Sequence, residues 1–464
     1  MMTKLLVLLY LTGLFSVGSP NSKSIKIEDR YKVEGTVSGE ISANETFHLI
    51  LAKNKESKLY EIIPLVYDNQ DFKRLESIDF ENFPSVLSFH VSGEILTLAV
   101  SSEKEDGVLK VLDVDLKSGK TVSSENIAIS GFKTSVKSSA ESVLLFADKD
   151  SFKVLTISNA KTNKVTVVLK NDANKDLLKL LEGESIENVD TNEFVSNGSI
   201  NNLRAYLEGE TLLITQQDDK GDATNLFSLD KSKGNQAQFS QKKFNHPEGY
   251  KRTTSFLKNG NLFRFSLNKS DAVVAFNSLD GSVSKELNVS DDLVGKSSKY
   301  FYDMQSFLKD AAKSSNAPTI TVNKSANDNF VVRADYVSVK EYRYYNWWWF
   351  HIHMHNQMMM QQQMQIQQHQ IKSFGPSENT FNEWLLFPVL EKHYFEFVVN
   401  SGFEVTNDES GFEKKEIDYQ TLIENMNHTK KLSDFSSVFL SAEFRFFGFD
   451  KKDNSFKVFT KEYR

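Results

Sequence analysis

The sequence has no cysteine. That absence excludes disulfides, thiolate metal sites, iron–sulfur clusters and cysteine nucleophiles together. Proline is scarce at 7 residues, and only nine of the 55 basic residues are arginine. Net charge is -7 with a pI near 5.8. No stretch concentrates enough Lys or Arg to make a phosphate-binding stripe, so nucleic acid is not an expected partner. Beyond the N-terminus no run approaches the roughly 20 apolar residues of a membrane helix. Enzyme signatures are missing as well: there is no Gly-x-Ser-x-Gly elbow and no His-Glu-x-x-His zinc helix. Gly295-Lys296-Ser297 resembles the end of a phosphate loop, but Ser290 stands where its first glycine belongs. No catalytic residue is assigned, and an active site gathered from several repeats would leave no local motif.

What is present is an ordinary folded composition, 39% hydrophobic and 25% charged over 464 residues, with 36 Phe, 15 Tyr and 4 Trp. It excludes collagen-like and wholly disordered chains. Residues 1–18 read as a secretory signal peptide. Lys4 supplies the positive region, Leu5 to Phe15 the apolar core, and Ser16, Gly18 and Ser19 the small residues around a cleavage point. A large exported domain without cysteine fits a bacterial envelope or secreted protein better than a disulfide-bonded eukaryotic one. The expected location is therefore the periplasm, the outer cell surface or the extracellular space.

Strand signals dominate the rest. Short runs of Val, Ile, Leu and Phe are separated by Gly, Asn, Asp, Ser and Lys clusters. One turn recurs: an Asp or Asn leaves a strand, and a Gly or Asn follows four residues later. It occurs at Asp115–Gly119, Asn159–Asn163, Asp230–Gly234, Asn277–Gly281, Asn407–Gly411 and Asp450–Asn454, and at Asn54–Lys58 in all but the last place. The first side chain can accept from backbone amides ahead of it, and the last residue tolerates the positive φ that returns the chain. Three of the intervals between successive turns are 43 to 47 residues, and the longer ones, 71 and 130, leave room for insertions and one unmatched unit. That period, with four strands per unit, predicts a β-propeller.

Asp115 to Lys120 resembles the Asp-x-Lys-Ser/Thr-Gly-Lys hairpins of bacterial β-propeller repeats. The resemblance implies a fold and no activity. The fold expected for residues 19–464 is all-β, a single propeller of seven blades with short helical insertions. Eight blades, or a multi-sheet β-sandwich array, are the alternatives. An N-terminal strand, Ile25 to Lys32 or Gly35 to Ile41, is expected to complete the last blade. Helices are expected at Ala173–Leu181, Lys299–Lys313 and Asp418–Met426. In the second of these, Phe301, Met304, Phe307, Leu308, Ala311 and Ala312 share one face.

The compositional outlier is a Trp/His/Met/Gln-rich insertion at 342–375, which follows a strand expected over Phe330–Tyr345. Trp347, Trp348 and Trp349 are candidate binding residues, because exposed aromatics favour protein, glycan or interfacial contacts. His351, His353 and His355 fall on one face of an extended strand, as a Zn or Cu site requires. The glutamine-rich half could pair with the Trp/His half as a projecting hairpin. Isolated His48, His90, His246, His393 and His428 read as structural or solvated. The leading expectation is an exported, non-enzymatic binding or scaffold protein with a protein or glycan partner and no cofactor. The alternatives are a Cu- or Zn-binding protein using the tract, and a propeller hydrolase or lyase acting on glycans or peptides.

Overall fold

The computed structural model describes residues 22–462 except 103–106, 139, 149–150, 162–163, 169–174, 184–185, 190–202, 218–221, 238, 315–317, 325–328, 347–383, 407–431 and 441–442. The segment read as a signal peptide lies outside the described residues, as do Asn407–Gly411 and the helix expected at Asp418–Met426.

The chain is all-β. Among the described residues seven sheets of four or five strands follow one another in chain order. We number them I (31–80), II (84–128), III (132–168), IV (186–245), V (252–288), VI (296–406) and VII (433–462). All pairings are antiparallel except Ile186–Asn188, which joins sheet IV parallel to Leu203–Glu208. Middle strands are buried on both faces: Thr211–Gln217 reads iBBBBBi and Asn261–Leu267 reads iBBBBBB. Last strands are largely exposed, as in Phe72–Arg74, Thr121–Ser123 and Ser284–Asn288. Edge strands of adjacent sheets touch, the first strand in each case except sheet VI, where the edge strand is Thr319–Lys324. Pro84–Ser92 meets Phe132–Lys137, Arg252–Lys258 meets Thr319–Lys324, and Tyr31–Ser42 meets Ser433–Phe439. First strands inside and last strands outside is the layout of a propeller-like array.

Apolar clusters sit between the sheets rather than in one central core, because each strand sends alternate side chains to opposite neighbours. In sheet II, Leu96, Leu98 and Val100 face sheet I, while Ala99, Leu109 and Val111 face sheet III. Similar clusters join III to IV, V to both IV and VI, and VII to I. Among the described residues no apolar cluster joins sheet VI to sheet VII.

The expected terminal closure is present, with a different strand. Ser22–Lys26 pairs with the final strand, from Ser22↔Phe459 to Lys26↔Ser455. Gly35–Ile41 lies instead inside Tyr31–Ser42, the first strand of sheet I.

The recurring turns follow their local chemistry in most places. Asp115 Oδ1 accepts from the amides of Lys117 (2.9 Å) and Ser118 (2.6 Å), and Gly119 has φ +79°. Asn54 Oδ1 does the same for Glu56 and Ser57, with Lys58 at φ 65°. One further turn keeps this chemistry in a longer connection and one differs. Asp230 Oδ1 accepts from Ser232 N at 3.0 Å and Gly234 has φ 57°, within a 3-10 segment, Lys231–Gln236. Asn277 Oδ1 is taken by Arg264, and Asp280 supplies the turn acceptor to Ser282 N at 2.9 Å.

Helices are present at Lys175–Gly183 and Met304–Ala311. Leu177, Leu178 and Leu181 of the first join the cluster between sheets III and IV. Met304, Phe307, Leu308 and Ala311 of the second join the cluster along sheets IV to VI.

Candidate functional site at the root of the long hairpin

Sheet VI departs from the other sheets. Its two central strands, Phe330–Asn346 and Trp384–Val399, have 17 and 16 residues, and their pairing runs from Phe330↔Val399 out to Asn346↔Trp384. The neighbouring strand Thr319–Lys324 reaches only as far as Thr319↔Asp335. From Tyr336 and His393 outward the two strands therefore form a two-stranded ribbon, described as far as Asn346 and Trp384.

Alternation gives the shared part of the sheet two unlike faces. Ile320, Val322, Phe330, Val332, Ala334, Phe395 and Phe397 are buried towards sheet V. The opposite face is buried and polar. There Arg333 holds Glu396 Oε1 through Nε at 2.6 Å and Nη2 at 2.5 Å, and its guanidinium carbon lies 4.1 Å from the Tyr394 ring centroid. Thr319 donates to Asp335. Glu396 Oε2 has no hydrogen-bond partner among the described residues.

Where the apolar face ends and the ribbon begins, aromatic side chains form a small cleft. Tyr336 and His393 are register partners, and their rings stack at 4.6 Å with an interplanar angle of 10°. His393 Nδ1 donates to the Tyr300 carbonyl at 3.2 Å, and the Tyr300 ring lies 5.5 Å from the imidazole. Phe307 meets the Tyr336 ring edge-on at 5.1 Å. The helix Met304–Ala311 forms the third wall. Asp303 caps it by accepting from Ser306 N at 2.7 Å, and Asp291 Oδ1 accepts from Met304 N at 2.7 Å. Its exposed side brings Ser306 and Asp310 to the cleft, and Tyr302, 82% exposed, stands at the rim. The space enclosed is about 30 Å³.

Burial, and secondarily the nearby Asp310 carboxylate, pushes the Tyr336 phenol up to about 12. Both effects disfavour phenolate, so Tyr336 is a neutral hydroxyl at any ordinary pH. Ring faces, a neutral phenol and a carboxylate suit non-covalent recognition.

The residues singled out in the sequence do not enter this site. Trp347, Trp348, Trp349, His351, His353 and His355 lie outside the described residues, beyond the paired end of the ribbon. Residues 342–346 of the outlier tract are described. They belong to Phe330–Asn346, and their partners are 384–388, so the glutamine-rich half does not pair with them. Among the described residues no three His, Asp or Glu side chains are grouped to hold a metal ion. No helix among them is long and apolar enough to cross a membrane.

Three of the isolated histidines are structural. His48 contacts Ser38 at 2.6 Å and Thr46 at 3.0 Å where sheets VII and I meet. His90 bridges Ser142 and Ser158 O at 3.0 and 3.1 Å between sheets II and III. His246 contacts Thr224 and Ser266 between sheets IV and V. His393, by contrast, lines the cleft. Its partners include Tyr300 and Tyr336, which have no local pattern with it. The one available signal was the aromatic run Tyr300-Phe301-Tyr302 just before an amphipathic helix.

No protein-family model matches the sequence, and no curated protein matches it. Solved structures give distant likenesses. An apocarotenoid oxygenase from Synechocystis, carrying a Glu-to-Gln substitution, is 8% identical with a TM-score of 0.28, over 57% of this chain and 63% of that one. The dihydro-heme d1 dehydrogenase NirN is 13% identical with a TM-score of 0.29, over 57% of this chain and 50% of that one. The WD40 domain of SCAP from fission yeast is 8% identical with a TM-score of 0.28, over 68% of this chain and 86% of that one. The chain thus spans less than two thirds of the first two proteins. Scores this low carry no argument about function, and the propeller-like architecture rests on the sheet order and junctions above.

Proposed function

We propose that this chain is an exported, non-enzymatic binding or scaffold protein of a bacterial envelope or the extracellular space. It holds a protein or glycan partner through sheet VI. The observation that carries the reading is the placement of an aromatic cleft at the root of a ribbon that outruns its own sheet. A two-stranded ribbon is at best marginally stable alone, and an exposed tyrosine such as Tyr302 gives large contact area at low entropic cost.

Asn346 and Trp384 are direct register partners, so an Asn-Gly turn can replace residues 347–383 and close the hairpin. That variant and Tyr302→Ala are compared with wild type as baits in envelope extract. A partner held by wild type and lost by either variant supports the reading. Retention of every partner by both, or no partner for wild type, overturns it.

A further inference from the structure

We propose that the cleft between Tyr300, Tyr336, His393 and the helix Met304–Ala311 seats a primary ammonium group, the tip of a lysine side chain on a partner protein. The inference rests on the binding reading above and adds the chemistry of the ligand. Four observations lead to it.

The first is size. The cleft leaves about 30 Å³ for the centre of a water-sized group, so it admits the tip of one side chain and no large ligand.

The second is the pattern of open acceptors. Among the described residues the Asp310 carboxylate has no ion pair and no hydrogen bond, although Lys309 and Lys313 are close in sequence. The Tyr336 side chain, 3% exposed, lines the same space, and among the described residues its hydroxyl has no hydrogen-bond partner. Ser306 Oγ spends its proton on Asp303 Oδ2 at 2.9 Å and keeps lone pairs. An ammonium carries three donors and no acceptor, and these groups present acceptors around one small space.

The third is the placement of Asp310. It lies in the last turn of an eight-residue helix. The helix dipole disfavours a carboxylate there, and Asp303 at the N-cap shows where helix stability alone would put one. The fourth is that the same ring cluster already holds an ammonium on its outer side, with Lys299 Nζ 4.9 Å from the Tyr300 ring centroid.

The test is a nuclear magnetic resonance titration of the full-length protein with labelled tyrosine rings. The probes are n-butylammonium chloride, 1-butanol, tetramethylammonium chloride and the peptide acetyl-Gly-Lys-Gly-amide. The expected result is saturable shifts of the Tyr300 and Tyr336 rings with n-butylammonium and with the peptide. Asp310→Asn, on an exposed site, keeps the dispersed spectrum and weakens both by about fivefold or more, the scale of losing one short charge contact. Tyr336→Phe keeps the ring, removes an acceptor and also weakens both.

An equal response to 1-butanol, tighter binding of tetramethylammonium, unchanged affinity in Asp310→Asn, or no response to any probe overturns the proposal. A response to n-butylammonium without one to the peptide overturns the assignment to a protein side chain. If the ammonium seat fails while replacing 347–383 still abolishes partner capture, the binding reading stands without it.

Discussion

Arg445 is fully buried, and its guanidinium fastens sheet VII to sheet I. Nε donates to Glu443 at 2.6 Å, Nη1 to Thr46 at 3.0 Å and Nη2 to the Asn44 carbonyl at 2.8 Å. Thr46 in turn contacts His48, which stacks on Phe447 at 4.2 Å. Burial, and secondarily Arg445, lowers the His48 pKa from 6.5 to about 3. The unfolded chain therefore takes up a proton below pH 6.5 that the folded chain refuses until about pH 3. Stability is full above pH 6.5 and falls on acidification, by about 1.4 kcal/mol per pH unit for a histidine of this kind. His90 is lowered in the same direction, again mainly by burial. Urea unfolding of wild type and His48→Gln between pH 7.5 and 4.5 should show the variant losing about one proton's worth of this slope. Parallel slopes would remove His48 from the account. The link that joins the two halves of this network is not visible locally, since Thr46 and Arg445 are 399 residues apart. The sequence could suggest only that an isolated histidine is structural.

At the scale of single elements, the recurring turn offers a paired test. Lys58 sits at φ 65° where the other hairpins place Gly or Asn. A left-handed non-glycine residue costs roughly 1–2 kcal/mol, and glycine returns part of that gain through unfolded-chain entropy. Lys58→Gly should therefore raise stability by about 0.5 kcal/mol. Gly119, at φ +79°, has only ordinary contacts within reach of an added Cβ, the nearest at 3.6 Å. Gly119→Ala should lower stability by about 1 kcal/mol through backbone strain alone. Thermal unfolding of both variants decides, and a shift of the same sign in both would sink the shared-turn argument. These turns were legible because an Asx side chain and its amides lie within four residues. Asn277 departs from that reading because Arg264 claims its side chain from across the strand pair, whereas Asp230 and Gly234, at φ 57°, keep it within a longer 3-10 connection.

For the whole molecule, hairpin spacing anticipated an array of small sheets because every unit repeats the same short-range chemistry. It could not anticipate the cleft, whose walls come from both sides of the segments around residues 300–311, 336 and 393. Nor could it choose the closing strand. Ser22–Lys26 is mostly exposed and gains its place from backbone pairing with Ser455–Glu462, while Ile25 packs at the cluster between sheets VII and I. Removing residues 22–26 should expose that edge, lower the unfolding temperature and promote self-association. A synthetic peptide of the same five residues plus Ile27 should reverse part of the loss. Light scattering and melting that are unchanged by the deletion would show the strand to be dispensable. The pairing also has a consequence for the order of events during synthesis. The strand that completes sheet VII leaves the ribosome ahead of all seven sheets, yet its partner is made more than 400 residues later. Sheets I to VI can pair as they emerge, but sheet VII must wait with one of its strands already made and unpaired. The pairing of Ser22–Lys26 with Ser455–Glu462 is thus the last of these sheet contacts to form.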